Sequence, residues 1–336
     1  MSERLPAVIG RYEIVRELAR GMMGVVYEAR DPTLRRTVAV KTIQLAFGVT
    51  PAQKEEFEQR FFMEARIGAR LRHPGIVVGH DVGKDPSTHT LFIVFEYLKG
   101  RTLADLAEAG RPQPWREALT ICGKLARALH YAHQQGVVHR DMKPANVMLL
   151  DGGELDVKIM DFGLAKHEAA SRPLTVVGQP FGSPLYMSPE QALGERVDAR
   201  TDIFSLGTIL CTLVLGRPPF AAERIPDILN RIVSGERPRL AREVPGVPPE
   251  VDVVLSRAMA RDAQERYAEA HLLAEDIEDV LAGYPPRHAG VASAAALVPE
   301  LASAASLPPH RSWLPWLAFA GFAMVLAAAL AILWSI

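Results

Sequence analysis

The chain has 336 residues, 49% of them hydrophobic and 23% charged, which is enough to bury a real core in one large domain or two small ones. Its 38 basic and 39 acidic side chains leave a formal net charge of -1, so no global field draws in nucleic acid or an anionic membrane surface. Phosphate binding, if present, has to come from local geometry. Cys122 and Cys211 lie in apolar helical patterns without metal or redox spacing, which fits a reducing compartment. Met1 to Gly10 carries mixed charge and a proline instead of a long apolar core, so the expectation is that no secretory leader opens the chain and the N-terminus stays in the cytosol.

Three strands open the pattern, Tyr12 to Leu18, Val25 to Arg30 and Thr37 to Ile43, rich in Val, Ile and Tyr and divided by Gly or Asp-Pro turns. A helix over Lys54 to Leu71 follows, with Phe57, Phe61 and Ala65 on one face, and His73-Pro74 stops it. Strands near Ile76 to Val82 and Leu91 to Tyr97 complete a group of five. After Gly100 helices dominate. Trp115 to Gln135 spaces Leu119, Cys122, Leu125, Ala126 and Leu129 by threes and fours and meets Gly136 at its end. Short strands at Val147 to Leu149 and Val157 to Met160 precede helices near Thr201 to Leu215, Ile225 to Ser234, Pro249 to Met259 and Ala268 to Leu281. His130 and His133 continue the amphipathic pattern of their helix without Cys or carboxylate partners at ligand spacing, so they read as packing and surface residues.

From Gly283 to Ser312 the composition shifts to Ala, Ser, Pro and Val, as in a linker. Leu314 to Trp334 then runs 21 residues without a charge. As a helix it spans about 32 Å, against about 30 Å of bilayer hydrocarbon. Trp313, Trp316 and Trp334 sit near its ends, where interfacial aromatics belong. The expectation is a single transmembrane helix with the folded part inside and no external sensor domain.

Chemistry is concentrated in short motifs. The first turn reads Ala19-Arg20-Gly21-Met22-Met23-Gly24-Val25-Val26, and the third strand carries Val38-Ala39-Val40-Lys41. Further on, His139-Arg140-Asp141-Met142-Lys143-Pro144-Ala145-Asn146 is followed after fourteen residues by Asp161-Phe162-Gly163. Gly182-Ser183-Pro184 leads to Ser188-Pro189-Glu190. Over about Arg11 to Leu281 this set resembles the eukaryotic-type serine/threonine protein kinases of bacteria.

The resemblance implies an α+β, bilobal protein kinase fold. It would have a five-stranded small lobe with one helix (11–95), a hinge (96–100) and a mainly helical large lobe (101–282). A tail (1–10), the linker (283–312) and the membrane helix (313–336) would flank it. It also implies roles. Asp141 would orient the substrate hydroxyl, and Lys143 would neutralise the transferring phosphate and mark serine/threonine specificity. Lys41 would hold the α and β phosphates, itself held by Glu64. Asn146 and Asp161 would bind Mg2+ or Mn2+. Leu18, Gly21, Gly24, Val26, Ala39, Phe95, Glu96 and Leu98 would enclose ATP. Asp202 would hold the catalytic-loop backbone, and Glu190 with Arg266 would form a buried ion pair.

Thr175 is the expected activation-loop phosphosite, with Arg140 as its receiver. Ser183 is expected to be structural. Ala19 stands at the first glycine position and Met22 where the family usually carries glycine; if Ala19 needs a left-handed backbone the cost is about 1–2 kcal/mol, and weakened ATP binding is expected. The expected partners are protein substrates, a second copy for phosphorylation in trans, and the cytoplasmic membrane. The alternative is a catalytically weak or dead ATP-binding scaffold.

Overall fold

The computed structural model describes residues 5–21, 24–44, 50–108, 110–153, 155–162 and 184–289. The chain divides into two compact units, Met1–Ser293 and Ala294–Ile336; the second, with the expected membrane helix, lies outside the described residues. Among the described residues no helix is long and apolar enough to cross a membrane.

The N-terminal part is a sheet in the order β1-β2-β3-β4-β6-β5, formed by β1 (Val8–Ile9), β2 (Tyr12–Gly21), β3 (Gly24–Asp31), β4 (Arg36–Ile43), β5 (Gly79–Lys84) and β6 (Leu91–Glu96). All its pairings are antiparallel. The sixth strand corrects the expected five: Val8 and Ile9, inside the segment read as a tail, pair with Glu13 and Tyr12. The two-residue side-chain period divides the strands cleanly. Val25, Tyr27, Ala29, Val38 and Val40 enter the core with Phe92 and Val94. Val26, Ala39 and Lys41 fall on the opposite face.

The sheet carries one helix, α1 (Pro51–Gly68). Its start is fixed by a capping box between Thr50 and Gln53 with Pro51 in the first turn. Phe61 and Ala65 bury against Ile43, Leu91 and Ile93. The helix stops before the expected Leu71 because Arg70 and Leu71 donate to Ile67 and Gly68, a tighter three-residue turn. Strand β5 also starts late. Ile76 and Val77 leave the sheet register and stitch to Ile159, with Val77 N donating to Ile159 O at 3.0 Å and Ile159 N to Gly75 O at 2.9 Å.

The C-terminal part contains α2 (Leu103–Glu108), α3 (Trp115–Gln134), α4 (Pro189–Leu193), α5 (Arg200–Leu215), α6 (Ile225–Ser234), α7 (Leu240–Glu243), α8 (Pro249–Ala258) and α9 (Ala270–Ala282). A small sheet, β7 (Gly100–Thr102), β8 (Val147–Leu150) and β9 (Val157–Ile159), lies beside them. Helix α5 is apolar on every face and buried from Thr201 to Val214, as a central helix must be. Its Ser205, Thr208 and Thr212 hydroxyls donate to carbonyls one turn back, so burying them leaves no donor unsatisfied. The result is a sheet-rich lobe on a helical lobe, with a cleft where β2 to β4, β6 and β8 meet.

Candidate active site

Segment 139–146 is held in place by one carboxylate. Asp202, fully buried on α5, accepts from His139 N through Oδ2 and from Arg140 N through Oδ1, both at 2.8 Å. His133 Nε2 lies 2.8 Å from the same Oδ2. Burial alone would raise this carboxyl, but the His133 and His139 hydrogen bonds hold it below its usual value. Clamping two adjacent amides forces Arg140 into the left-handed region at φ 63, a strain that persists only where surroundings over-determine it.

His139 adds a second constraint. Its Nδ1 accepts from Asp141 N at 3.2 Å, so Nε2 is the protonated nitrogen and donates to Met160 O at 2.8 Å. The ring also packs edge-on to Phe162, centroids 4.8 Å apart. The loop carrying Asp141 is thereby tied to the segment carrying Asp161, whose own φ is 59.

On this frame the expected polar groups meet in two sets. Lys143 Nζ is 3.0 Å from Asp141 Oδ2. Asn146 Nδ2 donates to Asp141 O at 2.7 Å, which turns Asn146 Oδ1 into the group available to a cation. Lys41 Nζ forms an ion pair with Asp161 Oδ2 at 2.7 Å. Two oxygen donors of hard character, Asn146 and Asp161, beside two lysines fit a magnesium-bound polyphosphate.

One expected contact is absent: no ion pair joins Lys41 to Glu64. Glu64 is half-buried on α1. Burial raises its carboxyl, and the nearby charges of Arg140 and Arg60 lower it only partly. The reason is positional: α1 sets Glu64 toward the arginines, and Asp161 takes the lysine.

The cleft encloses about 620 Å³ and is lined by Leu18, Val26, Ala39, Phe95, Leu98 and Asp161, with Lys41 and Glu96. Gly21 and Gly24 bound the hairpin above it, and Met22 and Met23 lie outside the described residues. Gly24 is required by packing, since a Cβ there would stand 1.9 Å from Thr42 O, at φ 142. Ala19 contradicts the sequence reading of strain: it is extended and pairs with Val26, so the left-handed cost does not arise. The carboxylate of Glu96 is engaged by Val78 N at 2.9 Å and by Lys158 at 2.5 Å.

Met148, Met160 and Ala145 also line the cleft, and sequence reasoning missed them. The available signal was strand alternation after Asn146, which buries Val147 and turns Met148 outward. Gly163, Thr175 and Ser183 lie outside the described residues. Glu190 and Arg266 form a bidentate pair at 2.7 and 2.8 Å, and Glu190 also accepts from Thr201 at 2.5 Å.

Residues 12–277 match a family model described as the protein kinase domain. The chain is 39% identical over 279 residues to a probable serine/threonine-protein kinase of Streptomyces coelicolor, covering 82% of this chain and 41% of that protein. It is 36% identical over 283 residues to serine/threonine-protein kinase PknB of Mycobacterium leprae, covering 84% and 44%. Among solved structures it is similar to the kinase domain of PknI from Mycobacterium tuberculosis, with TM-score 0.65 and 30% identity, covering 83% of this chain and 100% of that one. The chain thus spans less than half the length of the curated relatives it matches.

Proposed function

The chain belongs to the protein kinase domain family, and from that premise we propose that it transfers the γ-phosphoryl group of Mg-ATP to serine and threonine hydroxyls of proteins. The observation that carries this is that the cleft wall holds the Lys41–Asp161 pair at 2.7 Å, while on the neighbouring loop Asp141 meets Lys143 at 3.0 Å and Asn146 at 2.7 Å, the two segments being tied where His139 donates to Met160 O.

When bound, Mg-ATP supplies the transferable group and the metal that neutralises its charge. Asp141, its carboxylate steadied by Lys143, orients the attacking hydroxyl and takes its proton. Lys143 then faces the charge that develops on the moving phosphoryl oxygens. Lys41 would hold the α and β phosphates, and Asn146 with Asp161 would hold the cation. Val26 and Ala39 would cover adenine from the sheet side, with Met148 of β8 also lining the cleft; Phe95 would close the back, and backbone at Glu96 and Leu98 would read its edge. Lys143 supports the serine/threonine class, as do the names of the relatives.

Purified chain incubated with Mg-ATP should label itself and a basic protein, and Asp141→Asn should lose at least about 100-fold in rate. Equal labelling by wild type and variant would leave the scaffold reading standing.

We propose further that residues 313–336 anchor the kinase in the cytoplasmic membrane as a single span, with the linker 283–312 between. Support comes from the 21 uncharged residues and their flanking tryptophans. Anchoring would favour encounters between copies and phosphorylation in trans at Thr175. Membrane fractionation of the whole chain against one ending at Gly283 tests this; equal partitioning to the soluble fraction rejects it.

A further inference from the structure

Away from the cleft, three ligating side chains meet where α3 packs on α9. His130 lies in the penultimate turn of α3, Glu269 caps the start of α9, and His271 sits in its first turn. Glu269 Oε2 is 3.3 Å from His271 Nδ1 and 3.6 Å from His130 Nδ1. The imidazole centroids are 4.4 Å apart, and one donor atom from each of the three residues lies within 4.8 Å of the others.

These separations suit a metal better than a hydrogen bond. A charge-assisted N–H···O bond brings its atoms to about 2.7–2.9 Å, and neither nitrogen reaches that. His271 Nδ1 is buried without a hydrogen-bond partner. Bonds of about 2.0–2.1 Å to a tetrahedral zinc ion place neighbouring donors about 3.3 Å apart, close to both measured values.

The surrounding charges are compatible with a cation. His133, one turn along, is committed to Asp202 and takes no part. The N-terminus of α9 and Arg127 both oppose a cation. Arg127 is occupied by Glu278, and the negative Glu269 supplies the counter-charge.

We propose that His130, Glu269 and His271 form a binding site for a zinc-class divalent cation, its fourth position open to solvent beside the exposed Glu269. Two imidazoles select zinc, cobalt or nickel over magnesium, so the site is chemically distinct from the Asn146 and Asp161 pair. An ion here staples α9, the last described helix, to α3.

The test titrates the full chain with Co2+ in excess Mg2+, following the visible absorption of tetrahedral cobalt and its loss on adding Zn2+. One equivalent should bind, Zn2+ should raise the melting temperature, and both effects should persist in His89→Asn. Glu269→Gln, nearly isosteric and exposed, and His271→Ala should each weaken binding by at least about tenfold and abolish the melting shift. The proposal is overturned if wild type shows no stoichiometric binding. It is equally overturned if a Glu269→Gln variant with an unchanged metal-free melting temperature binds as tightly as wild type.

Discussion

Lys41 Nζ is paired with Asp161 Oδ2 at 2.7 Å, and Glu64 makes no ion pair with it. Lys41→Met should lower kcat by at least about 100-fold while leaving the melting temperature near wild type, because the lysine faces the cleft rather than the core. If activity requires Glu64 to reach Lys41, Glu64→Gln should cost about 10- to 100-fold in kcat. Full activity in that variant would show that Asp161 alone suffices to hold the lysine.

Asp202 should matter for both stability and rate. An amide at this position has one oxygen for the two backbone N–H groups of His139 and Arg140, so Asp202→Asn leaves a buried donor unmatched at about 1–3 kcal/mol. The loop bearing Asp141 loosens with it. Thermal melts and initial rates should fall together, with ATP KM little changed; a variant that melts lower but turns over normally would separate the clamp from the chemistry.

Glu190 gives acid sensitivity with a defined sign. Burial raises its carboxyl, but hydrogen bonds from Arg266 and Thr201 outweigh burial and hold it below the ordinary 4.5. The folded state then binds fewer protons than the unfolded chain, so this stabilisation is complete above about pH 4.5 and is lost as pH falls through the depressed value. Urea melts across that window should show a shallower acid dependence in Glu190→Gln. Arg266→Met, which strands a buried carboxylate, should cost about 3–5 kcal/mol near neutrality.

The glycine hairpin yields opposite outcomes at two sites. Gly24→Ala puts a methyl 1.9 Å from Thr42 O, so the β3–β4 junction must shift; a loss of about 1–3 kcal/mol and a higher ATP KM are expected. Ala19→Gly should leave ATP KM within about twofold and destabilise by about 0.5–1 kcal/mol through strand entropy. A marked gain in ATP affinity from Ala19→Gly would mean that the backbone there does more than extend the strand.

Thr175→Ala should lower activity about tenfold without unfolding the domain, the loss of one charge-assisted contact between a phosphorylated loop and Arg140. Mass spectrometry of the active protein should find phosphate on Thr175. Unchanged activity in the variant rejects the site.

Much of the fold was legible because it is written in short-range signals. Helix α3 announces itself by apolar spacing and Gly136, and β2 to β4 by alternation. The misreadings have local causes. Val8–Ile9 is too short to signal a strand until Tyr12 and Glu13 give it an edge, and Ile76 and Val77 look like strand but serve as a seam to Ile159.

By itself the sequence determined the chemistry available: the residues from His139 to Asn146 and from Asp161 to Phe162 are short contiguous motifs that carry the reacting groups, although Asp202, distant in sequence, is what holds the first of them in place. Only the tertiary structure decided which carboxylate meets Lys41, and that His130 on α3 finds Glu269 and His271 on α9. Packing sets such contacts, because a helix fixes which face a side chain occupies but not which distant element comes to lie against it.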